Sequence, residues 1–124
     1  MPKTAASLIA VAAAAAAIVA LSCGGDSHSQ ADARAIATSK SCDYWARCMQ
    51  IGAGKMYTSR DDCEVRVGNT WQTQWPPADC DGKIATAALN VCLSAIDTTL
   101  CDNAVNIANT ILMKCAKANV CADP

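Results

Sequence analysis

Residues 42–63 read CDYWARCMQIGAGKMYTSRDDC, and they contain the end of one predicted helix, a glycine turn and the start of a second helix. The apolar period of a helix runs from about residue 31 to 49, and Gly52-Ala53-Gly54 is typical of a helix end. A second helix begins at Thr58 or Ser59 and stops at Pro76-Pro77. Its first turn holds three carboxylates, which suit the positive end of a helix dipole: Asp61, Asp62 and Glu64.

Two further helices are predicted over about 82–96 and 103–118. Apolar residues recur in both at the spacing that places them on one helix face. In the third helix this face holds Ile84, Ala88, Val91 and Ala95. Asn119 suits a left-handed cap after the fourth helix. Because no segment alternates apolar and polar residues with a period of two, we predict an all-α fold, a small bundle of about four helices.

The cysteines supply the stability that such a small bundle lacks. About 80 residues with five aromatic side chains and no Phe bury little large apolar surface. The chain has nine cysteines, and setting Cys23 aside leaves eight. An even set of this kind suits four disulfides formed in an oxidising compartment. Each disulfide typically contributes about 2–4 kcal/mol to stability.

Helix geometry predicts which cysteines pair. Cys42 and Cys48 lie six positions apart, about 120° around one helix, so we expect them to find different partners. A hairpin of the first two helices brings Cys48 to Cys63, and a turn after the third brings Cys92 to Cys101. We therefore predict four bonds: Cys48–Cys63, Cys92–Cys101, Cys42–Cys80 and Cys115–Cys121.

The N-terminal segment is typical of an export signal. Residues 5–21 carry no charge and follow Lys3, as in the apolar region of a secretory signal peptide. Ala20-Leu21-Ser22-Cys23 resembles a bacterial lipobox, although Leu21 stands one place later than usual. We therefore predict a lipoprotein signal peptide over 1–22, a lipidated Cys23 with a flexible tether over 23–30, and a disulfide-rich helical domain over 31–124.

The composition disfavours several functional classes. The closest cysteine pairs have five residues between them, and the single histidine, His28, lies in the predicted tether, so we predict neither a zinc site nor a Cys–His or Ser–His pair. No basic run exceeds two residues, which gives no reason to expect nucleic acid as a partner. We predict no catalytic residue, no metal and no cofactor apart from the acyl groups on Cys23.

Two residue sets separate the remaining hypotheses. Trp71 and Trp75 lie four positions apart and share a helix face, so they are candidates for a surface binding site, but we favour the interpretation that both cover the thin core beside the Pro76-Pro77 turn. A cavity between alanine-rich helices would instead indicate a carrier of an apolar small molecule or natural product. We expect such a cavity to be lined by Ile84, Leu89, Leu93, Ile111 and Leu112.

The cysteine order from Cys42 to Cys121, with GAGKMYTSRDDCE at 52–64, resembles a family of small cysteine-rich lipoproteins. That family is best known from myxobacterial-type genomes, and some members are labelled natural-product-biosynthesis lipoproteins of unknown function. The resemblance implies a location in the bacterial envelope and a gene neighbourhood. It implies no reaction and no catalytic residue.

Together these features favour a membrane-anchored lipoprotein whose non-enzymatic domain binds a partner in the bacterial cell envelope. We expect it on the outer membrane, at its periplasmic face or the cell surface. The partner is an envelope protein or, in the carrier hypothesis, a small apolar ligand. An enzyme accessory is the third hypothesis.

Overall fold

The computed structural model describes residues 26–121, and within that range the chain is a helical bundle with one very short antiparallel sheet. This confirms the predicted all-α class and its four disulfides. The elements in chain order are β1 (Ser27–His28), α1 (Gln30–Arg47), α2 (Arg60–Gln74), α3 (Pro77–Cys80), β2 (Ile84–Ala85), α4 (Thr86–Thr98), α5 (Ala104–Lys114) and α6 (Lys117–Val120).

The four long helices run up and down the bundle. Arg60 at the start of α2 contacts Asp43 near the end of α1, so these two helices are antiparallel. A short turn between α4 and α5 reverses the chain again. One end of the bundle, here called the base, contains β1, α3, β2 and α6. The opposite end, the tip, contains the loops 48–59 and 99–103. Since α1 has 18 residues, it separates base from tip by about 27 Å.

The predicted fourth helix is in fact two helices, because the chain breaks at Cys115 and Ala116. Cys115 is fully buried, and its carbonyl oxygen accepts a hydrogen bond from the Trp75 indole nitrogen at 2.9 Å. Ala116 then adopts an extended conformation and α6 begins. The left-handed cap predicted at Asn119 is wrong. Asn119 lies within α6, and its side-chain amide donates to the Met113 carbonyl oxygen at 2.7 Å.

The flexible tether predicted for residues 23–30 is wrong for residues 26–30. Ser27 and His28 pair in antiparallel register with Ala85 and Ile84. The Asp26 carbonyl oxygen accepts hydrogen bonds from the Thr86 backbone nitrogen at 2.9 Å and from its hydroxyl at 2.6 Å. This pairing uses backbone groups and needs no apolar side chain, which is why the polar sequence did not reveal it.

Trp71 and Trp75 form the centre of the core. Both indoles are fully buried, and their ring centroids are 4.5 Å apart. The Trp71 indole nitrogen donates to the Ser41 hydroxyl at 3.2 Å, and the Trp75 indole nitrogen donates to the Cys115 carbonyl oxygen at 2.9 Å. The polar atoms of the two indoles are thus satisfied inside the core, so the rings contribute their full apolar area to the packing.

All four predicted disulfide pairings are wrong, although the same eight cysteines are used. The bonds observed are Cys42–Cys63, Cys48–Cys101, Cys80–Cys121 and Cys92–Cys115, in place of Cys48–Cys63, Cys92–Cys101, Cys42–Cys80 and Cys115–Cys121. Their Cα separations, 4.8–6.0 Å, are ordinary for disulfides.

The helix ends explain the correct pairing. Cys42 lies on the buried face of α1, directly against the first turn of α2, so it reaches Cys63. Cys48 caps α1 at the tip, where the α4–α5 loop brings Cys101. We expected Cys42 and Cys48 to have different partners, and they do. The incorrect step was to pair Cys63, the cysteine of α2, with Cys48 instead of Cys42.

Candidate functional site

The tip contains a small pocket beside the Cys48–Cys101 disulfide. Its volume is about 200 Å³, and its walls come from the end of α1, the following loop and the α4–α5 loop. The lining residues are Tyr44, Trp45, Cys48, Gln50, Met56, Cys101, Asp102, Asn103 and Ala104. The pocket therefore combines aromatic and apolar side chains with one carboxylate and two amides.

Aromatic contacts hold the walls of this pocket. The Trp45 ring lies 5.0 Å from the Tyr44 ring and 5.7 Å from the Tyr57 ring, measured between centroids. Arg47 lies over Tyr44, and Arg66 lies over Tyr57 at 4.8 Å from the ring centroid. These cation–π contacts and the edge-on ring pairs keep the aromatic side chains in place.

The pKa values of both tyrosines at the tip are raised, which keeps their hydroxyls protonated. Burial raises the pKa of Tyr44, and the nearby Arg47 charge only partly opposes this rise. Burial likewise raises the pKa of Tyr57, opposed by Arg66. The protonated Tyr44 hydroxyl donates to the Leu100 carbonyl oxygen at 3.0 Å. This hydrogen bond ties the α4–α5 loop to α1 and fixes the shape of the pocket rim.

Large apolar side chains are exposed around the pocket. Met49 is 75% exposed and Leu100 is 68% exposed, and each is next in sequence to one cysteine of the Cys48–Cys101 disulfide. Met56, which lines the pocket, is 41% exposed. Apolar side chains grouped at one end of a small domain are typical of an interaction surface.

Met49 also has an unusual backbone. It is the only non-glycine residue with positive φ among residues 26–121, at 55°. Its amide donates to the Ala46 carbonyl oxygen at 3.0 Å, and the Gln50 amide donates to the Trp45 carbonyl oxygen at 2.8 Å. This is the Schellman arrangement, whose left-handed position is usually glycine. A methionine there costs stability and leaves an apolar side chain in water, which points to a role in binding rather than folding.

We predict that Met49→Gly raises the free energy of unfolding by about 1 kcal/mol, because glycine adopts the left-handed conformation without strain. Urea denaturation followed by circular dichroism measures the change. Met49→Ala is the matched control, since it removes the same exposed side chain but keeps the strained backbone. If the alanine variant is as stable as the glycine variant, the backbone argument is incorrect.

A second concavity lies between α1 and α2. It is an open groove of about 430 Å³, lined by Arg34, Ala35, Thr38, Ser39, Glu64, Val65, Gly68 and Asn69. Its charged groups already have partners: Arg34 donates to the Gln72 side chain, and Glu64 accepts from Arg60 at 2.7 Å. With its charges paired within the domain, the groove is a weaker candidate than the tip.

The predicted surface site at Trp71 and Trp75 is wrong. Both side chains are fully buried, so neither is available to a partner, and the favoured interpretation of core packing is confirmed. The physical reason is composition, since the domain has only five aromatic side chains and the core takes four of them: Tyr44, Tyr57, Trp71 and Trp75. The predicted lipidation site, Cys23, and the signal peptide of residues 1–22 lie outside the described residues.

The side chains expected to line a carrier cavity occupy other positions. Ile84 and Leu89 are buried in the core, Leu93 and Ile111 pack against it, and Leu112 is exposed. Within the described range 26–121, no cluster of three or more His, Cys, Asp or Glu side chains is arranged to hold a metal ion. No helix in that range has the length and hydropathy needed to span a bilayer.

Sequence reasoning missed the tip residues Met49, Met56 and Leu100. No signal marked Met49, because the glycines typical of a helix end stand at positions 52 and 54, after the left-handed residue that the structure uses. No signal marked Leu100 either, since its position at the tip depends on the Cys48–Cys101 bond.

Comparison with known proteins gives one match. A family of unknown function, DUF6184, matches residues 42–123, which include all eight disulfide cysteines and both tip loops. No curated protein and no solved structure matches the chain. Because the match covers most of the sequence, the chain belongs to the DUF6184 family of unknown function.

Proposed function

We propose that this chain is a lipoprotein of the bacterial cell envelope, acylated at Cys23, whose domain is a non-catalytic module that binds an envelope protein through its tip. The observation that carries the proposal is the group of exposed apolar side chains at the tip: Met56, which lines the pocket, and Met49 and Leu100, which are next in sequence to its lining cysteines. The sequence resemblance to small cysteine-rich lipoproteins supports the same location.

The disulfides support the role of Cys23. Four bonds use eight of the nine cysteines, and the remaining one is Cys23 at the lipobox-like sequence. A free thiol in an oxidising compartment is reactive, whereas a thioether to a diacylglycerol is not. The predicted acylation therefore explains why Cys23 stands outside the set of eight disulfide cysteines.

The geometry supports binding at the tip. The chain enters the domain at Asp26 in the base, and α1 separates the base from Trp45 and Met49 by about 27 Å. An anchored domain would thus hold its tip away from the bilayer, where an envelope protein can reach it. The carrier hypothesis has less support, because the tip pocket is smaller than the roughly 300–1,000 Å³ typical of small-molecule sites. The larger groove between α1 and α2, about 430 Å³, is open to solvent and includes the charged residues Arg34 and Glu64 in its lining, which does not suit an apolar ligand.

The first test concerns the anchor. We expect Cys23→Ala to leave an unacylated precursor in the membrane, and we expect the wild-type precursor to accumulate when lipoprotein signal peptidase is inhibited. Intact-mass spectrometry of the purified protein measures both. Detection of Cys23 in a disulfide with any of the other eight cysteines would end the lipoprotein proposal.

The second test concerns the tip. The lipidated protein is used to capture partners from its own envelope, and the captured proteins and small molecules are identified by mass spectrometry. We expect the double variant Met49→Ser, Leu100→Ser to lose the partner, because burial of these two side chains drives the contact. Capture that is unchanged in this variant would contradict binding at the tip.

The matched control is the double variant Val65→Ser, Val91→Ser. Both valines are exposed to a similar extent, at 65% and 58%, but they lie on the middle parts of α2 and α4 rather than at the tip. The control should capture the partner as well as the wild type does. If the control loses the partner while the tip variant keeps it, the sides of the bundle form the binding surface instead.

A further inference from the structure

A second exposed apolar surface lies at the base, on the last turn of α5. We propose that the bilayer holding the lipid anchor also covers this turn, through Leu112 and Met113. This inference rests on the proposed acylation of Cys23.

The length of chain between the anchor and the fold carries the argument. Asp26, the first residue that the structure describes, is held in the base, because its carbonyl oxygen accepts two hydrogen bonds from Thr86. The Cα atoms of Cys23 and Asp26 are joined by three peptide units, which span at most about 11 Å when fully extended. With Cys23 held at the lipid headgroups by its acyl chains, the base cannot leave the membrane surface.

The last turn of α5 belongs to this base. Cys115, directly after α5, is bonded to Cys92 and accepts a hydrogen bond from Trp75. Trp75 in turn accepts from Gln30, which begins α1 next to the sheet. The Met113 carbonyl oxygen also accepts from Asn119 in α6. Several contacts thus place this turn at the end of the bundle where the chain enters.

The chemistry of the turn suits a lipid surface. From Ala104 to Met113 the helix carries no charged residue. Leu112 is 63% exposed and Met113 is 69% exposed, and Lys114 follows them. Lys117 lies in the next turn, paired with Asp79 at 2.7 Å. With Lys117 paired within the domain, Lys114 is the cation that the turn offers to a headgroup. Apolar side chains next to a lysine are typical of interfacial segments, whose apolar groups enter the acyl boundary while the cation faces anionic headgroups.

Two native methionines allow a direct test. Met49 at the tip and Met113 at the base are exposed to a similar extent, at 75% and 69%. The purified lipidated protein is reconstituted in vesicles of phosphatidylethanolamine and phosphatidylglycerol, treated with the charged oxidant chloramine-T, and digested for mass spectrometry. Sulfoxide formation at Met113 should be about fivefold slower than at Met49, because the bilayer excludes the oxidant from the base only.

The control lengthens the tether. An insertion of sixteen Gly/Ser residues between Gly25 and Asp26 keeps both the anchor and the domain but releases the base from the surface. In this variant the two methionines should oxidise at similar rates. Equal rates in the wild type, with Cys23 shown by mass to be acylated, would overturn the membrane contact and leave the proposed function intact. Protection of Met113 that survives the insertion would also overturn it, whereas absence of the acyl groups would refute the proposed function itself.

Discussion

Reduction of the four disulfides is expected to unfold the domain at ordinary temperature. Each bond contributes about 2–4 kcal/mol by restricting the unfolded chain. Four such contributions, about 8–16 kcal/mol together, are comparable to the whole stability of a typical domain, about 5–15 kcal/mol. The apolar core that remains is thin, with Trp71 and Trp75 as its only fully buried large aromatic pair among the described residues.

Far-ultraviolet circular dichroism before and after reduction with alkylation measures this effect, with complete reduction verified by mass. The double variant Cys48→Ala, Cys101→Ala is the sharper probe. Its bond closes the longest loop, 53 residues, yet Cys101 is exposed and Cys48 only half-buried, so little packing is lost with it. The expected loss is about 4 kcal/mol from loop entropy. A melting temperature that is unchanged after full reduction would refute the account of stability given above.

Trp75→Ala is expected to lower the free energy of unfolding by about 3–5 kcal/mol, which is typical when a buried aromatic residue is truncated. The substitution removes the ring that packs on Trp71 at 4.5 Å. It also leaves the buried Cys115 carbonyl oxygen without the indole donor at 2.9 Å. Urea denaturation of the oxidised protein measures the difference.

Trp45→Ala is the matched control for this prediction. Trp45 is also a tryptophan on a long helix, but it is only half-buried and belongs to the wall of the tip pocket. We expect it to cost less than half as much stability as Trp75→Ala, because it removes less buried area. A loss at Trp45 equal to that at Trp75 would show that the core extends into the tip.

The helices were predictable because their causes are local. Ser59 accepts a hydrogen bond from the Asp62 amide as an N-cap, and Pro77 begins a new short helix after α2. Such contacts span three or four residues, so they can be recognised in the sequence without knowledge of the fold.

The disulfide pairing was not predictable by the same reasoning. Whether Cys48 meets Cys63 or Cys101 depends on which helix lies beside the end of α1, a tertiary property. Even with the helix positions known, a Cys48–Cys63 bond and a Cys48–Cys101 bond are both geometrically acceptable. The grouping of the exposed side chains Met49 and Leu100 at the tip could not be predicted either, because the Cys48–Cys101 bond brings them to one end of the bundle.

The arrangement of the disulfides along the chain bears on how the domain resists proteases. The loop closed by Cys42–Cys63 overlaps that of Cys48–Cys101, which in turn overlaps that of Cys80–Cys121. Every peptide bond between Cys42 and Cys121 therefore lies inside at least one covalent ring. A single cut in either exposed tip loop, the sites a protease reaches first, leaves both fragments joined and the helices in register. One nick in this part of the domain releases no fragment of it.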